Sequence, residues 1–192
     1  MLLVANIISF VANAFFTIAA IFKSKNKILI TQSVCHGLSI ATEVMTSAYG
    51  GLSQDSVSLV RNIGLLFIKN NKKAQIIFSI VCVVVALSLG ITLNILLNDN
   101  VWYGYLPVMA SFQYSVVVIL AFVIKFKELN DELIIKISLI INSACWSLYG
   151  FFVKLYPIMG FNIVTAILSI ISIIIIFHQK KLIKFHQNEI AE

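Results

Sequence analysis

Charge is scarce in this chain. Only 11% of its 192 residues are Asp, Glu, Lys or Arg, against roughly 25% in ordinary soluble domains. Hydrophobic residues make up 60%, and the mean hydropathy is +0.99. A soluble globular domain is thereby excluded. Cysteine is almost as sparse, and Cys35, Cys82 and Cys145 all fall inside apolar runs. They read as small buried hydrophobes rather than as a disulfide or a metal site. His36, His178 and His186 have no ligand-like spacing, so neither a metal nor a cofactor is expected. The sequence also lacks His-Glu-x-x-His, Gly-x-Ser-x-Gly and any nucleotide-binding loop, so it reads as no enzyme. No positive residue precedes the first apolar run, which is too long for a signal-peptide core, and no cleavable signal is expected. The net charge of +6 does not point to nucleic acid, because its lysines sit in short loops between apolar runs.

What is abundant is long apolar sequence. Cut at its charges, the chain divides into seven runs: Leu2–Phe22, Ile28–Tyr49, Leu52–Ile68, Ala74–Leu97, Val101–Ile124, Leu133–Val153 and Pro157–Phe177. Seven helices of about 20 residues, each about 30 Å long, leave no room for a second, soluble domain. The third run is the weakest, since it carries Gln54, Asp55 and Arg61. Dropping it would put the Lys23 and Lys69 clusters on opposite sides of the membrane. Counting it, Lys23, Lys25, Lys27, Lys69, Lys72, Lys73, Lys125, Lys127, Lys136, Lys180, Lys181 and Lys184 share one side, and Lys154 alone lies opposite. By the positive-inside rule the amino terminus is outside and the carboxyl terminus cytoplasmic.

An internal repeat organises these runs. Shifting the chain by 100 residues pairs Ser47-Ala48-Tyr49-Gly50 with Ser147-Leu148-Tyr149-Gly150, Asn62-Ile63 with Asn162-Ile163, and Lys25 and Lys27 with Lys125 and Lys127. The fold expected is an all-α integral membrane protein of seven transmembrane helices. Residues 1–70 form a first three-helix repeat and 74–97 a linker helix. A second three-helix repeat spans 101–178, and 179–192 form a cytoplasmic tail. The extra crossing makes the repeats parallel, and such repeats hold a substrate site near the midplane, between the halves.

Polar residues at helical spacing inside a span should face the bundle interior. Five runs carry such stripes, among them Asn13 in the first, Thr46 or Ser47 in the second, Asn142 in the sixth and Asn162 in the seventh. An aqueous or substrate-lined path and plain interhelical hydrogen bonding both account for them. Trp146 with Asn162 is the sharper signal. An aromatic face beside an amide suits a sugar or another polyol, whose C–H faces stack while its hydroxyls bond the amide. With Asn62 at the corresponding place in the repeat, two amides would face one cavity. Glu43 and Arg61 would each cost about 2.5–3.5 kcal/mol at a helix centre, so a mutual pair is expected, either as a coupling device or as a static structural bridge.

Three spans, a linker and three spans, together with the segment from Asn142 to Gly150 and the following Asn162, resemble the SWEET sugar transporters and the wider PQ-loop (MtN3) group. That resemblance implies that Trp146, Asn162 and Asn62 line a sugar pocket. In size, in Leu106-Pro107-Val108-Met109, in Cys145-Trp146 and in Arg61-Asn62, the chain is also similar to the bacterial YgjV inner-membrane family. It departs from the SWEET pattern in having only Pro107 and Pro157, no Pro-Gln pair, and Thr46 where a second tryptophan would stand. The reading is a carrier for a sugar or other small neutral polar solute. Candidate binding residues are Asn62, Trp146, Asn162, Asn142, Thr46, Ser47 and Asn13. Its partners are the solute and the lipid bilayer, and a homo-oligomer stays open. A non-transporting scaffold or sensor is the alternative, with a membrane-embedded enzyme behind it.

Overall fold

The computed structural model describes residues 1–19, 25–68, 71–124 and 128–191. Seven α-helices follow one another: α1 (Leu2–Ala19), α2 (Lys25–Thr46), α3 (Tyr49–Phe67), α4 (Lys72–Leu97), α5 (Leu106–Ile124), α6 (Glu128–Phe152) and α7 (Tyr156–Ala191). A short 3-10 turn, Trp102–Tyr105, leads into α5. No strand occurs among the described residues. Both prolines sit at the second position of a helix, Pro107 in α5 and Pro157 in α7. There the missing N–H has no intrahelical partner to lose. Asn71 caps α4 by accepting from the Ala74 N–H at 3.0 Å, as helix starts prefer.

Three edges differ from the sequence reading, the sixth helix starting at Glu128 rather than Leu133. The fifth helix starts at Leu106 rather than Val101, because the 3-10 turn intervenes. The last helix does not stop at Phe177 but continues to Ala191, since no glycine or proline interrupts it after Gly160. Of the lysines used for orientation, Lys23, Lys69, Lys125 and Lys127 lie outside the described residues.

Four helical segments are long and apolar enough to cross a membrane: Asn26–Thr46, Lys72–Leu97, Leu133–Phe152 and Tyr156–His178. The polarity is inside-out. Large apolar side chains such as Phe10, Ile77, Val84, Leu148, Ile167 and Ile174 are exposed, while Glu43, Gln54, Asp55, Asn62 and Asn94 are buried. An exterior this apolar needs lipid around it, and the chain reads as a membrane protein.

Within the bundle, α2 packs between α1 and α3, and α6 between α5 and α7. A ring closes where α7 meets α1 and where α5 meets α3, with α4 laid outside against α3 and α5. Two tight turns set the register of the halves. After α2, the Ser47 N–H bonds the Val44 carbonyl and the Ala48 N–H bonds the Glu43 carbonyl; after α6, Lys154 bonds Phe151 and Leu155 bonds Gly150. Leu52 to Ala48 and Met159 to Leu155 continue the match. Both are Schellman caps. Their left-handed residues are Ser47 (φ 55°) and Lys154 (φ 61°), which are 107 residues apart. The hairpins therefore coincide at a shift of 107, not 100. Tyr49 opens α3, whereas Tyr149 lies inside α6, so the Tyr-Gly match in the sequence does not mark equivalent places. Some burial agrees with this register, in that Ala48 and Leu155, Thr42 and Tyr149, Asn62 and Ser169 are buried in pairs.

Candidate functional site: a buried polar cluster between α2, α3 and α6

The close-packed region at the α2–α3 turn is built on glycines. A Cβ at Gly50 would collide with the Gly104 carbonyl, and one at Gly51 would collide with the Glu43 carboxyl group. Their bareness lets α3 start against the 3-10 turn and under α2. Glu43 is 0% exposed, and neither carboxyl oxygen has a hydrogen-bond partner. It lies three residues from the end of α2, about 5 Å along the axis. Beside it, Tyr149 of α6, also 0% exposed, accepts the Gly51 N–H on its hydroxyl at 2.9 Å. Asp55, two turns into α3, is within electrostatic reach of Glu43 and of Tyr149. His36 Nδ1 stands 2.9 Å from Asp55 Oδ1. Cys35 and Ser39 complete this face of α2, both buried. The result is a chain of titratable groups, His36, Asp55, Glu43 and Tyr149, drawn from three helices. Of these four, His36 and Asp55 alone are joined by a hydrogen bond.

The expected Glu43–Arg61 pair does not form. The reason is the geometry of α3: Glu43 meets that helix at Gly51, while Arg61 lies on the face turned to α4 and α5. Among the described residues the one salt bridge is His36–Asp55. Asp55 entered the sequence reading only as a blemish in the third run. Its value was hidden because its partner stands nineteen positions away on another helix.

The seven expected binding residues are spread out. Asn62 is 1% exposed with an unpartnered amide nitrogen, and Asn142 has a buried, unpartnered amide oxygen. Asn162 donates to the Ile158 carbonyl of its own helix at 2.8 Å, and Asn13 likewise to Ser9 at 2.8 Å. Thr46 bonds the Thr42 carbonyl at 2.9 Å, and Ser47 is the exposed left-handed residue of the turn. Trp146 packs on the Ala5–Leu155–Ile158 cluster, edge-on to Tyr149 at 5.8 Å. No hydrogen bond joins any two of the seven. Asn62 lies 13 residues into α3 and Asn162 six into α7, about 20 Å and 9 Å from the same end of the bundle. They are not at one level, which corrects the symmetric pair of amides. In the 107 register the counterpart of Asn162 is Asp55, and that of Trp146 is Ser39.

Asn6 of α1 ties the ring shut. Its Nδ2 donates to the Lys154 carbonyl at 3.1 Å and its Oδ1 accepts from the Tyr156 N–H at 3.0 Å. No family model matches the chain, and neither a curated protein nor a solved structure does.

Proposed function

We propose that the protein is a membrane carrier for a small polar solute, built from two parallel three-helix repeats with α4 as the linker. One observation carries the reading. Buried polar groups without partners, on Glu43, Asn62 and Asn142, come from three different helices that face one ring. A bundle held together only by helix packing would satisfy such groups or dispense with them, since each one costs stability. A passing solute or a file of water would satisfy them in turn. A sugar or similar neutral solute stays the preferred cargo, because an aromatic ring and amides suit a polyol. Glu43, with Asp55 and His36, is the coupling element, and it takes up and releases a proton as the ring opens to either side. The amino terminus is outside in this reading, with Lys27, Lys72 and Lys73 at the cytoplasmic end.

The test is exchange in proteoliposomes. Counterflow of labelled sugars should saturate in the wild type and fall at least tenfold in the Trp146→Ala, Asn162→Ala double variant. Glu43→Gln should keep counterflow while losing accumulation driven by a proton gradient. Counterflow that is absent from folded wild type for every sugar tried would remove sugar as the cargo. Equal exchange in wild type and double variant would move the site elsewhere.

A further inference from the structure

Arg61 is the one ionised group of the bundle interior that the carrier reading leaves without work. It lines a cleft between α3, α4 and α5, together with Gln54, Ser58, Ser111 and Ser115 among apolar neighbours such as Val57 and Phe112. No carboxylate lies within salt-bridge distance of it among the described residues. Its electrostatic neighbours are Cys82 and Tyr114, neither of them an anion in its ordinary neutral form.

Three serines line the same cleft as this charge. Ser58 stands one turn before Arg61 on α3, and Ser111 and Ser115 stand one turn apart on α5, so each pair shares a helix face. None of the three makes a hydrogen bond to the protein, although serines elsewhere in the bundle do, as Ser53, Ser79 and Ser138 show. The cleft is partly open and offers about 20 Å³ of water-accessible space, room for about one water-sized occupant. A fixed positive charge, three idle hydroxyls and a space of that size among apolar walls describe one kind of ligand.

We infer that the α3–α4–α5 cleft binds one small monovalent inorganic anion, of the halide class, between the Arg61 guanidinium and the hydroxyls of Ser58, Ser111 and Ser115. The single positive charge sets the valence. The small space favours a monatomic ion over phosphate or sulfate, and the apolar walls favour an ion that sheds its water readily. Placement supports this assignment. In the 107 register the counterpart of Arg61 is Leu168, 58% exposed, and that of Val57 is Val164, 53% exposed against 8%. The second half turns this face outward, and only in the first half does α4 cover it. The linker helix thus lies over Arg61. The site is independent of the solute path, and the inference stands if the carrier reading fails.

Thermal unfolding of the purified full chain in detergent tests it, with sodium chloride or bromide exchanged for sodium gluconate at constant ionic strength. The wild type should show a saturable rise in Tm, with bromide half-saturating at a lower concentration than chloride. Ser111→Ala, Ser115→Ala should raise the half-saturating concentration about tenfold, and Arg61→Gln should abolish the response. If Arg61→Gln does not fold, the serine double variant decides. An unchanged halide response in that variant overturns the site. So does a wild-type response that fails to saturate, or one that sulfate reproduces at equal ionic strength.

Discussion

At the α2–α3 turn and the α6–α7 turn the backbone makes the same hydrogen bonds, yet the side chains that these turns carry differ in one consistent way. Every ionisable group that the first hairpin buries has a neutral counterpart in the second. Glu43 matches Gly150, Asp55 matches Asn162, His36 matches Ser143 and Arg61 matches Leu168. Even volume is exchanged across the comparison. Glu43 fills the space over Gly51, while Ile158 fills the space over Gly150. The lesson is that the turn and the helix-to-helix distance belong to the frame, whereas charge is a property of one half. In the carrier reading, this separates the two tasks. The second hairpin, with Trp146 and Asn162, meets the solute, and the first carries the ion.

The comparison is broken most severely at the exchanged volumes. Gly51→Ala should destabilise the protein by about 1–3 kcal/mol, the usual cost of overpacking, because the added methyl drives the Glu43 carboxyl out of its place. Glu43→Ala in the same chain should recover most of that loss, and a double-mutant cycle of unfolding in detergent measures the coupling. Additive effects of the two changes would mean that the large-for-small exchange is accidental.

A smaller effect is expected at the seam. Asn6 joins α1 to the α6–α7 turn, and Asn6→Ala leaves the Tyr156 N–H without a partner. A loss of about 1–2 kcal/mol follows from ordinary hydrogen-bond energetics, with α7 showing the faster hydrogen exchange at its first turn. Protection unchanged at Tyr156 would contradict the clamp.

The smallest effect tests the frame itself. Ser47 and Lys154 hold the left-handed conformation that costs a residue with a Cβ roughly 1 kcal/mol or more. Ser47→Gly and Lys154→Gly should each raise Tm by a few degrees, and by similar amounts. A gain at one turn and a loss at the other would show that the caps are not equivalent.

The apolar runs placed six of the seven helices to within a few residues, because in lipid the hydrophobic length of a segment dictates its conformation. Even the third, with Asp55 and Arg61, came out as a helix. The register did not come out of the residues. Tyr-Gly and Asn-Ile at a spacing of 100 are plausible matches in a sequence rich in Ile, Leu and Ser. What the two turns share is the backbone conformation at Ser47 and Lys154, two residue types with nothing in common. The misplaced register explains why Asn62 and Asn162 looked like partners, and why Asp55 went unregarded. Glu43 was legible as an expensive residue, but not which residue lies beside it, since stripe periodicity fixes the face of a helix and not its neighbour.

The cover that α4 lays over α3 also constrains the order in which the chain enters the membrane. Helix α3 carries Gln54, Asp55 and Arg61, and its Gln54 amide donates to the Ala86 carbonyl of α4 at 3.0 Å. A nascent chain ending near Ile68 therefore presents the insertion machinery with a segment that lipid alone will not accept. Only when synthesis has passed Leu97 do both of its flanking helices exist. The first four helices should leave the translocon together, and truncations ending at Ile68 and at Leu97, each fused to a topology reporter, would reveal that delay as a switch from uninserted to inserted α3.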